Sequence, residues 1–525
     1  MNIVLSFVKQ HVLILSITCI AGILLLLSVK GFPGTPTPTD LNTKYWRQDG
    51  VFELSPERGR YALTYSIVED GSVFHNKQIA RFAVPDIAIH DGKYVSLFAP
   101  GLSYITAPGY MIGKFFGNAQ FGTFAVVSFF ALLNFILVYL ISKQLGAYKV
   151  AALLGAITFL FATPAFVYGV NLYQHHLSTF LILLSIYLLM KYRSIWTNII
   201  VFILCGASIS VDYPNLFFMM PVGLVAFSRL FKVEDAVKKI TIQINLPKLL
   251  TPFIIILPLL FLFWYQNTAN GGPLRLSGSL QTAKFEAEES SLEDVASLSN
   301  DVLHKEEENE DHADDKNVVG FFESRILLNS FYLHFISPDR GMLTFTPVIL
   351  LGFIGLIIAY RKQMPYLSLL TSVLFSIIIL YSLWGDPWGG WAFGSRYLVP
   401  AYAILGIFVA MLLSYAKRNI FLQILFLILL FYSLGVSTIG ALTTIANPPQ
   451  VEVLALEELT GTIQRYSYDR GMEYLNRNDN KSFIFNTFAK NHLSAWQYYS
   501  VIYIPLLITS AGLLVALQLT KEKKS

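Results

Sequence analysis

Twelve apolar stretches punctuate this 525-residue chain, near residues 11–29, 120–142, 150–169, 175–190, 196–212, 214–231, 249–266, 342–359, 365–384, 397–416, 420–441 and 498–519. Several, such as His11 to Val29 and Ile420 to Ala441, are long enough to cross a hydrocarbon core of about 30 Å as helices. Inside lipid a backbone must satisfy its own hydrogen bonds, so a spanning segment is either a helix or part of a closed barrel, and the alternating pattern of a barrel is absent. The expected fold is therefore an all-α polytopic membrane protein of about 12 transmembrane helices, with residues 1–525 forming a single membrane domain. A composition of 54% hydrophobic and 14% charged residues agrees with that class.

With the N-terminus placed inside, the basic connections all fall on one side: Lys143 and Lys149, Lys191 and Arg193, Arg229 with Lys238 and Lys239, Arg361 and Lys362, Lys417 and Arg418, and Lys521 with Lys523 and Lys524. Both termini are then cytoplasmic. The first span exceeds the apolar region of about 7–15 residues typical of a signal peptide and reads as a retained anchor. Cys19 and Cys205 lie within spans as core thiols, giving neither a disulfide framework nor a thiolate metal site. The large polar segments 31–118, 267–341 and 446–497 face outside, so a functional site is expected to be extracytoplasmic. Short basic cytoplasmic connections, without a Walker or Rossmann glycine loop, argue against a cytosolic nucleotide as energy source or sugar donor. Nucleic acid is not among the expected partners.

The first outer loop, 31–118, carries Ser55-Pro56-Glu57-Arg58-Gly59-Arg60-Tyr61. Ser55 is suited to an N-cap, Pro56 to the first helical position and Gly71 to the stop, so a short surface helix is expected up to Asp70. On it Glu57, Arg60, Tyr61 and Thr64 share a face. A carboxylate there is placed to act as general base or to hold a divalent cation, and Arg60 or Arg58 to fork onto phosphate oxygens. The plainer alternative is that Glu57 complements the helix dipole and pairs with Arg60 on a wet surface. Asp91-Gly92 reads as a turn, whereas Asp86 has no such local role and is the second candidate carboxylate. The stretch Phe98 to Tyr110, apolar but broken by Pro and Gly, is expected to lie along the interface.

Elsewhere, His175-His176 stands at the outer mouth of the fourth span, as binding residues or as histidines merely reaching water. Asp212, just before Pro214, is accounted for by an Asx turn. The acidic run 286–315 reads as solvated, disordered chain. Ser337-Pro338-Asp339-Arg340-Gly341 and Trp384 to Arg396 supply two more guanidinium groups, and Arg340 and Arg396 are phosphate candidates or anchors for ordinary lipid headgroups. For 446–497 a small capping element is expected.

Glu57-Arg58-Gly59-Arg60-Tyr61-Ala62, Val68-Glu69-Asp70-Gly71, Asp91-Gly92-Lys93-Tyr94 and Pro100-Gly101-Leu102-Ser103 with Pro108 resemble the first outer loop of GT-C glycosyltransferases, specifically the bacterial and archaeal relatives of protein O-mannosyltransferases and of the lipid A aminoarabinose transferase. Ser337 to Gly341 and Gly389-Gly390-Trp391-Ala392-Phe393-Gly394-Ser395-Arg396-Tyr397 look like later elements of the same group. The resemblance implies a GT-C-like fold in a bacterial or archaeal cell membrane. It also implies an inverting transfer of sugar from a polyprenyl-phosphate donor to an acceptor outside the membrane, be it glycan, lipid or protein. By position Glu57 stands where that family places its first-loop acid. Three departures are visible: the usual aspartate is glutamate, the lysine or glutamate before the Pro-Gly element is replaced by Leu97-Phe98-Ala99, and His175 and His176 stand nearest to where many relatives carry a second-loop acid.

The resulting expectation is a glycosyltransferase with Glu57 and Asp86 as catalytic acids, Arg60, Arg340 and Arg396 on the donor phosphate, and Tyr61, His175, His176 and Trp391 on the substrate. Its partners are a polyprenyl-phosphate-linked sugar and membrane lipids. No cofactor is assigned, and a divalent cation, if used, falls to Glu57 and Asp86. The competing classes are a glycolipid flippase, which is expected to show charges near the midplane rather than at the outer rim, and a catalytically inactive assembly protein.

Overall fold

The computed structural model describes residues 2–47, 50–236, 239–244, 249–283, 285 and 322–519, with the side chains of 2–11 and 232–244 left out of account. The acidic run 286–315 and the basic cluster at 521–524 lie outside the described residues, as does Lys238.

Each of the twelve apolar stretches is helical. Among the described residues five helices are long and apolar enough to cross a membrane: Ala119–Gln144, Thr251–Asn270, Arg396–Tyr415, Ile420–Leu442 and Ala495–Leu519. Shorter apolar helices, among them His175–Lys191, Ile195–Val211, Asn215–Ser228 and Leu367–Ser382, complete the bundle. The chain is thus an integral membrane protein, although a count of twelve crossings goes further than these lengths do. Side-chain caps start several helices: Ser194 Oγ accepts from Thr197 N, and Asn419 Oδ1 from Leu422 N. The stretch 150–169 is not one span but two pieces, Lys149–Phe161 and Pro164–Gly169. Pro164 cannot donate to the ladder and Thr163 Oγ1 takes the Ala165 N–H, so the helix restarts there.

The helix Arg396–Tyr415 runs through the centre and is almost entirely buried. Glycines let its neighbours approach backbone to backbone. A Cβ on Gly155 would come within 2.4 Å of Gly406 O, and one on Gly355 within 2.0 Å of Phe408 O. Close packing of this kind replaces the hydrophobic driving force that lipid does not supply.

Basic turns gather at one end of the bundle, where Arg229 Nη1 donates to Tyr192 O and the Lys417 ammonium lies over the Tyr148 ring. The long loops gather at the other. There the fold departs from all-α. Ile87–His90 and Lys93–Ser96 form a hairpin through the expected turn at Asp91-Gly92, both residues having positive φ, and Gln281–Thr282 adds a third strand. At the opposite end, next to Arg229, Phe231–Ala236 pairs with Lys239–Ile244 in a second hairpin. The stretch from Phe98 to Tyr110 is an unbroken helix from Gly101 on, Gly101–Phe115, burying Ser103, Thr106 and Tyr110 while Ile105, Met111 and Ile112 face outward.

The last loop is more than a cap. It carries the helices Gln450–Thr460 and Asp469–Asn476, and Lys481 reaches back to the first loop.

Replacing Gly355 with Ile should force its helix, Leu351–Arg361, away from Phe408 of the central helix. The expected outcome is a clear loss of melting temperature in detergent, and a variant melting like the parent would contradict the close approach.

Candidate active site

The helix Ser55–Glu69 is expected on the surface but is found buried on nearly every side, and its N-cap is Leu54 rather than Ser55. Ser103 Oγ donates to Arg60 O, and Thr64 and Thr106 share a hydrogen bond of 3.1 Å, which locks it to the helix Gly101–Phe115. A Cβ on Gly101 would lie 2.6 Å from Ser210 O, so the first loop is pressed against the end of the helix Ile195–Val211. Asp212 follows directly. Gly59 leaves room for the Phe98 ring, over which the Arg60 guanidinium lies at 4.1 Å.

These contacts frame a cavity of about 520 Å³. Its polar end is formed by Arg60, Arg396, Asp212, Tyr173, Gln174, Tyr213 and Tyr397. Its apolar walls come from Leu216 and Phe217, from Leu259, Leu262 and Phe263, and from Leu380 and Tyr381, on three different helices. Past Phe217 and Leu380 a second apolar groove continues between Asn215–Ser228 and Leu367–Ser382, lined by Met220, Pro221, Leu224 and Ser376.

Arg60 and Arg396 share the Tyr173 ring, with guanidinium carbons 5.7 and 5.3 Å from its centre. Among the described residues the one hydrogen bond of Arg60 runs from Nη1 to Pro56 O, 2.8 Å within its own helix. Nε and Nη1 of Arg396 are buried without a hydrogen-bond partner. Buried guanidinium donors without a protein partner suit an acceptor anion. Asp212 Oδ2 accepts from Gln174 Nε2 at 3.1 Å. Burial raises the Asp212 carboxyl, opposed by that hydrogen bond and by Arg60 and Arg396.

The expected site is only partly assembled. Arg60 and Arg396 converge, but Arg340 does not join them. It is fully buried, and its guanidinium donates to four backbone carbonyls, those of Asp339, Trp388, Gly390 and Asn447. With no donor turned to the cavity it is a structural tie that holds the segment leading to Arg396. Glu57 is likewise absent from the cavity lining. Its Oε2 accepts from Leu54 N at 3.3 Å, capping its own helix, and its Oε1 is buried without a partner. The helix-cap alternative thus describes its geometry, although the surroundings are dry and its charged neighbours are Glu53, Lys30 and Lys481 rather than Arg60.

Asp86 stands beside the cavity with Oδ2 buried and unpartnered. Burial raises its carboxyl, against Ser55, Arg58, Arg60 and Arg396. The Tyr61 ring is core, 4.7 Å from Phe52 and 5.8 Å from Tyr110. His175 packs flat behind Tyr173, with ring centres 5.8 Å apart, and His176 is tied to Ala165 O at 2.7 Å. Trp391 donates to Glu452 Oε2 at 2.9 Å. None of these four lines the cavity. Among the described residues no three His, Cys, Asp or Glu side chains converge to hold a metal ion.

Tyr173, Gln174, Tyr397 and above all Asp212 were not expected here. The signal for Asp212 was its place at the same end of the bundle as the first loop, but an Asx turn accounted for it and span order says nothing of which helix ends touch.

Behind the site lies a buried cluster of four titratable groups, Lys30, Glu53, Glu57 and Lys481. Lys481 Nζ donates to Glu53 Oε1 and to Gly50 O, both at 2.7 Å, while Glu53 Oε2 accepts from Ile445 N. Burial would raise Glu53, yet Lys481 and Lys30 hold it below the ordinary carboxylate value. Glu57 goes the other way: burial, then Glu53, push it from 4.5 to about 8. Burial likewise brings Lys30 down to about 8, against the pull of Glu53 and Glu57.

Solved structures similar to this chain include ArnT from Cupriavidus metallidurans in the apo state, at 12% identity and a TM-score of 0.46, covering 97% of this chain and 78% of that one. The same protein bound to undecaprenyl phosphate matches at 13% identity and a TM-score of 0.44, covering 96% and 78%. The Archaeoglobus fulgidus oligosaccharyltransferase matches at 14% identity and a TM-score of 0.44, covering 96% of this chain and 56% of that one, so this chain spans little more than half its length. No family model matches the sequence, and no curated protein does.

Between pH 4.5 and about 8 the folded chain keeps the Glu57 proton that the unfolded chain has released, so stability falls as pH rises through that window. Glu57→Gln removes this fall. Its melting temperature should match the parent below pH 4.5 and exceed it increasingly towards about pH 8; parallel curves would contradict a protonated Glu57. Arg340→Lys, unable to reach four carbonyls, should lose on the order of 3 kcal/mol of stability, read as a lowered denaturation midpoint.

Proposed function

We propose that this protein is a glycosyltransferase that takes a sugar from a polyprenyl-phosphate donor and passes it, with inversion, to an acceptor at the loop side of the membrane, which is the extracytoplasmic side. The observation that carries the reading is the pair of guanidinium groups, Arg60 and Arg396, flanking Tyr173 at the head of an apolar groove between helices. A phosphate-headed lipid matches both halves of that site. Its anionic head accepts from the free donors of Arg396 and Arg60, and its hydrocarbon tail lies against Phe217, Leu380 and the groove beyond. The first-loop motifs, which resemble those of GT-C enzymes, add the sugar to the phosphate.

In this reading the arginines hold the donor and stabilise the charge that develops on the leaving phosphate. Phe98 and Tyr173 keep Arg60 in place and exclude water, which strengthens both contacts. Asp86 lies close enough to influence both arginines and helps to orient them. Arg340 acts at a distance by holding the segment 388–390 against Asn447, while Ser395 Oγ donates to Arg340 O next to Arg396. Glu57 contributes to the buried network beneath Tyr173. Because the phosphoester bond of the donor is the source of driving force, no nucleotide is required.

The test is release of polyprenyl phosphate from radiolabelled polyprenyl-phosphate hexoses by the purified protein in detergent, with envelope extract as acceptor. Detergent removes the two compartments a flippase needs, so release identifies a transferase, whereas donor binding without release would overturn the assignment. Arg60→Ala and Arg396→Ala should each weaken polyprenyl phosphate binding by about 10–100-fold, as expected for losing a charge-assisted hydrogen bond. Arg396→Lys should recover only part of this, because an ammonium cannot reproduce the fork.

A further inference from the structure

We infer that Asp212, rather than either acid of the first loop, is the carboxylate that receives the acceptor's proton; this rests on the transferase reading above. Asp212 is the one carboxylate lining the cavity among the described residues. Glu57 has spent one oxygen on Leu54 N and lies outside the lining, and Asp86 does not line it either. Asp212 extends the end of the helix Ile195–Val211, which the close contact of Gly101 with Ser210 O presses against the first loop.

Gln174 Nε2 orients the carboxylate through Oδ2. Asp212 is the leading charge acting on Arg60, yet no direct ion pair joins them among the described residues, because Arg60 is turned onto Phe98 and Pro56 O. A carboxylate and a guanidinium held at the same polar end without closing on each other leave room for a reacting group between them. Burial raises the carboxyl, which makes it a better proton acceptor than a solvated aspartate.

The step balances without a further reactant. The acceptor hydroxyl oxygen bonds to the anomeric carbon as that carbon's bond to the phosphate oxygen breaks. The bonding pair stays on the phosphate, which leaves as polyprenyl phosphate with one more negative charge, opposite Arg60 and Arg396. The hydroxyl proton passes to the Asp212 carboxylate and then to water.

The experiment compares the full-length parent, Asp212→Asn and Asp212→Glu in detergent, reading both binding of polyprenyl phosphate and its release from the labelled donors. Asp212→Asn should bind polyprenyl phosphate within about threefold of the parent, melt like it, and release product at least 100-fold more slowly through kcat, with partial recovery in Asp212→Glu. Release by Asp212→Asn within about fivefold of an active parent overturns this assignment alone. A parent that binds donor but releases nothing overturns the transferase reading, and this inference with it. Should Asp212→Asn lose donor binding and stability together, Asp212 is a structural residue and the inference falls.

Discussion

The helix Arg396–Tyr415 is gripped backbone to backbone by the helices bearing Gly155 and Gly355, and that grip sets where Arg396, at its start, meets the loops. An apolar solvent gives two helices little reason to associate beyond packing and hydrogen bonding, so contact at this distance determines which helix lies at the centre. Arg396 begins that central helix. Its guanidinium therefore emerges at the middle of the loop face, where Tyr173, the Asp212 turn and the buried helix Ser55–Glu69 surround it.

Burying this many charges requires that each be assigned to a partner, and the assignments distinguish tie from site. Arg340 has all its bonds to carbonyls and binds three chain segments together. Lys481 and Glu53 pair directly and fasten the last loop to the first. Arg396 keeps unpartnered donors, and Arg60 makes a single bond to its own helix. Incomplete satisfaction of buried donors costs stability and is retained where a ligand supplies what is missing. The same logic separates the carboxylates: Glu53 is paired, Glu57 caps its own helix with its carboxyl raised by burial, and Asp212 faces the cavity.

The helices and the turn at Asp91-Gly92 were legible in the residues because apolar runs, caps and αL-tolerant turn residues act locally. Arg60 and Arg396 were legible as candidates, since guanidinium groups at span ends suit an anionic phosphate. The short sheet was not, because Gln281–Thr282 joins a hairpin nearly two hundred residues earlier and two residues carry no strand pattern of their own. Glu57 and Arg340 misled for one reason. A charged side chain in a loop reads as exposed and available, whereas here the loops themselves pack into a second core around Phe52, Tyr61 and Phe82.

By itself the sequence determined that this chain lives in a membrane as helices, with its polar loops collected apart from short basic turns, because hydropathy and charge act segment by segment. Only the tertiary structure decided which charges meet. Arg60, Asp212 and Arg396 come from points far apart in the chain, and their convergence depends on which helix ends touch, a matter of glycine-permitted close packing that no local pattern encodes.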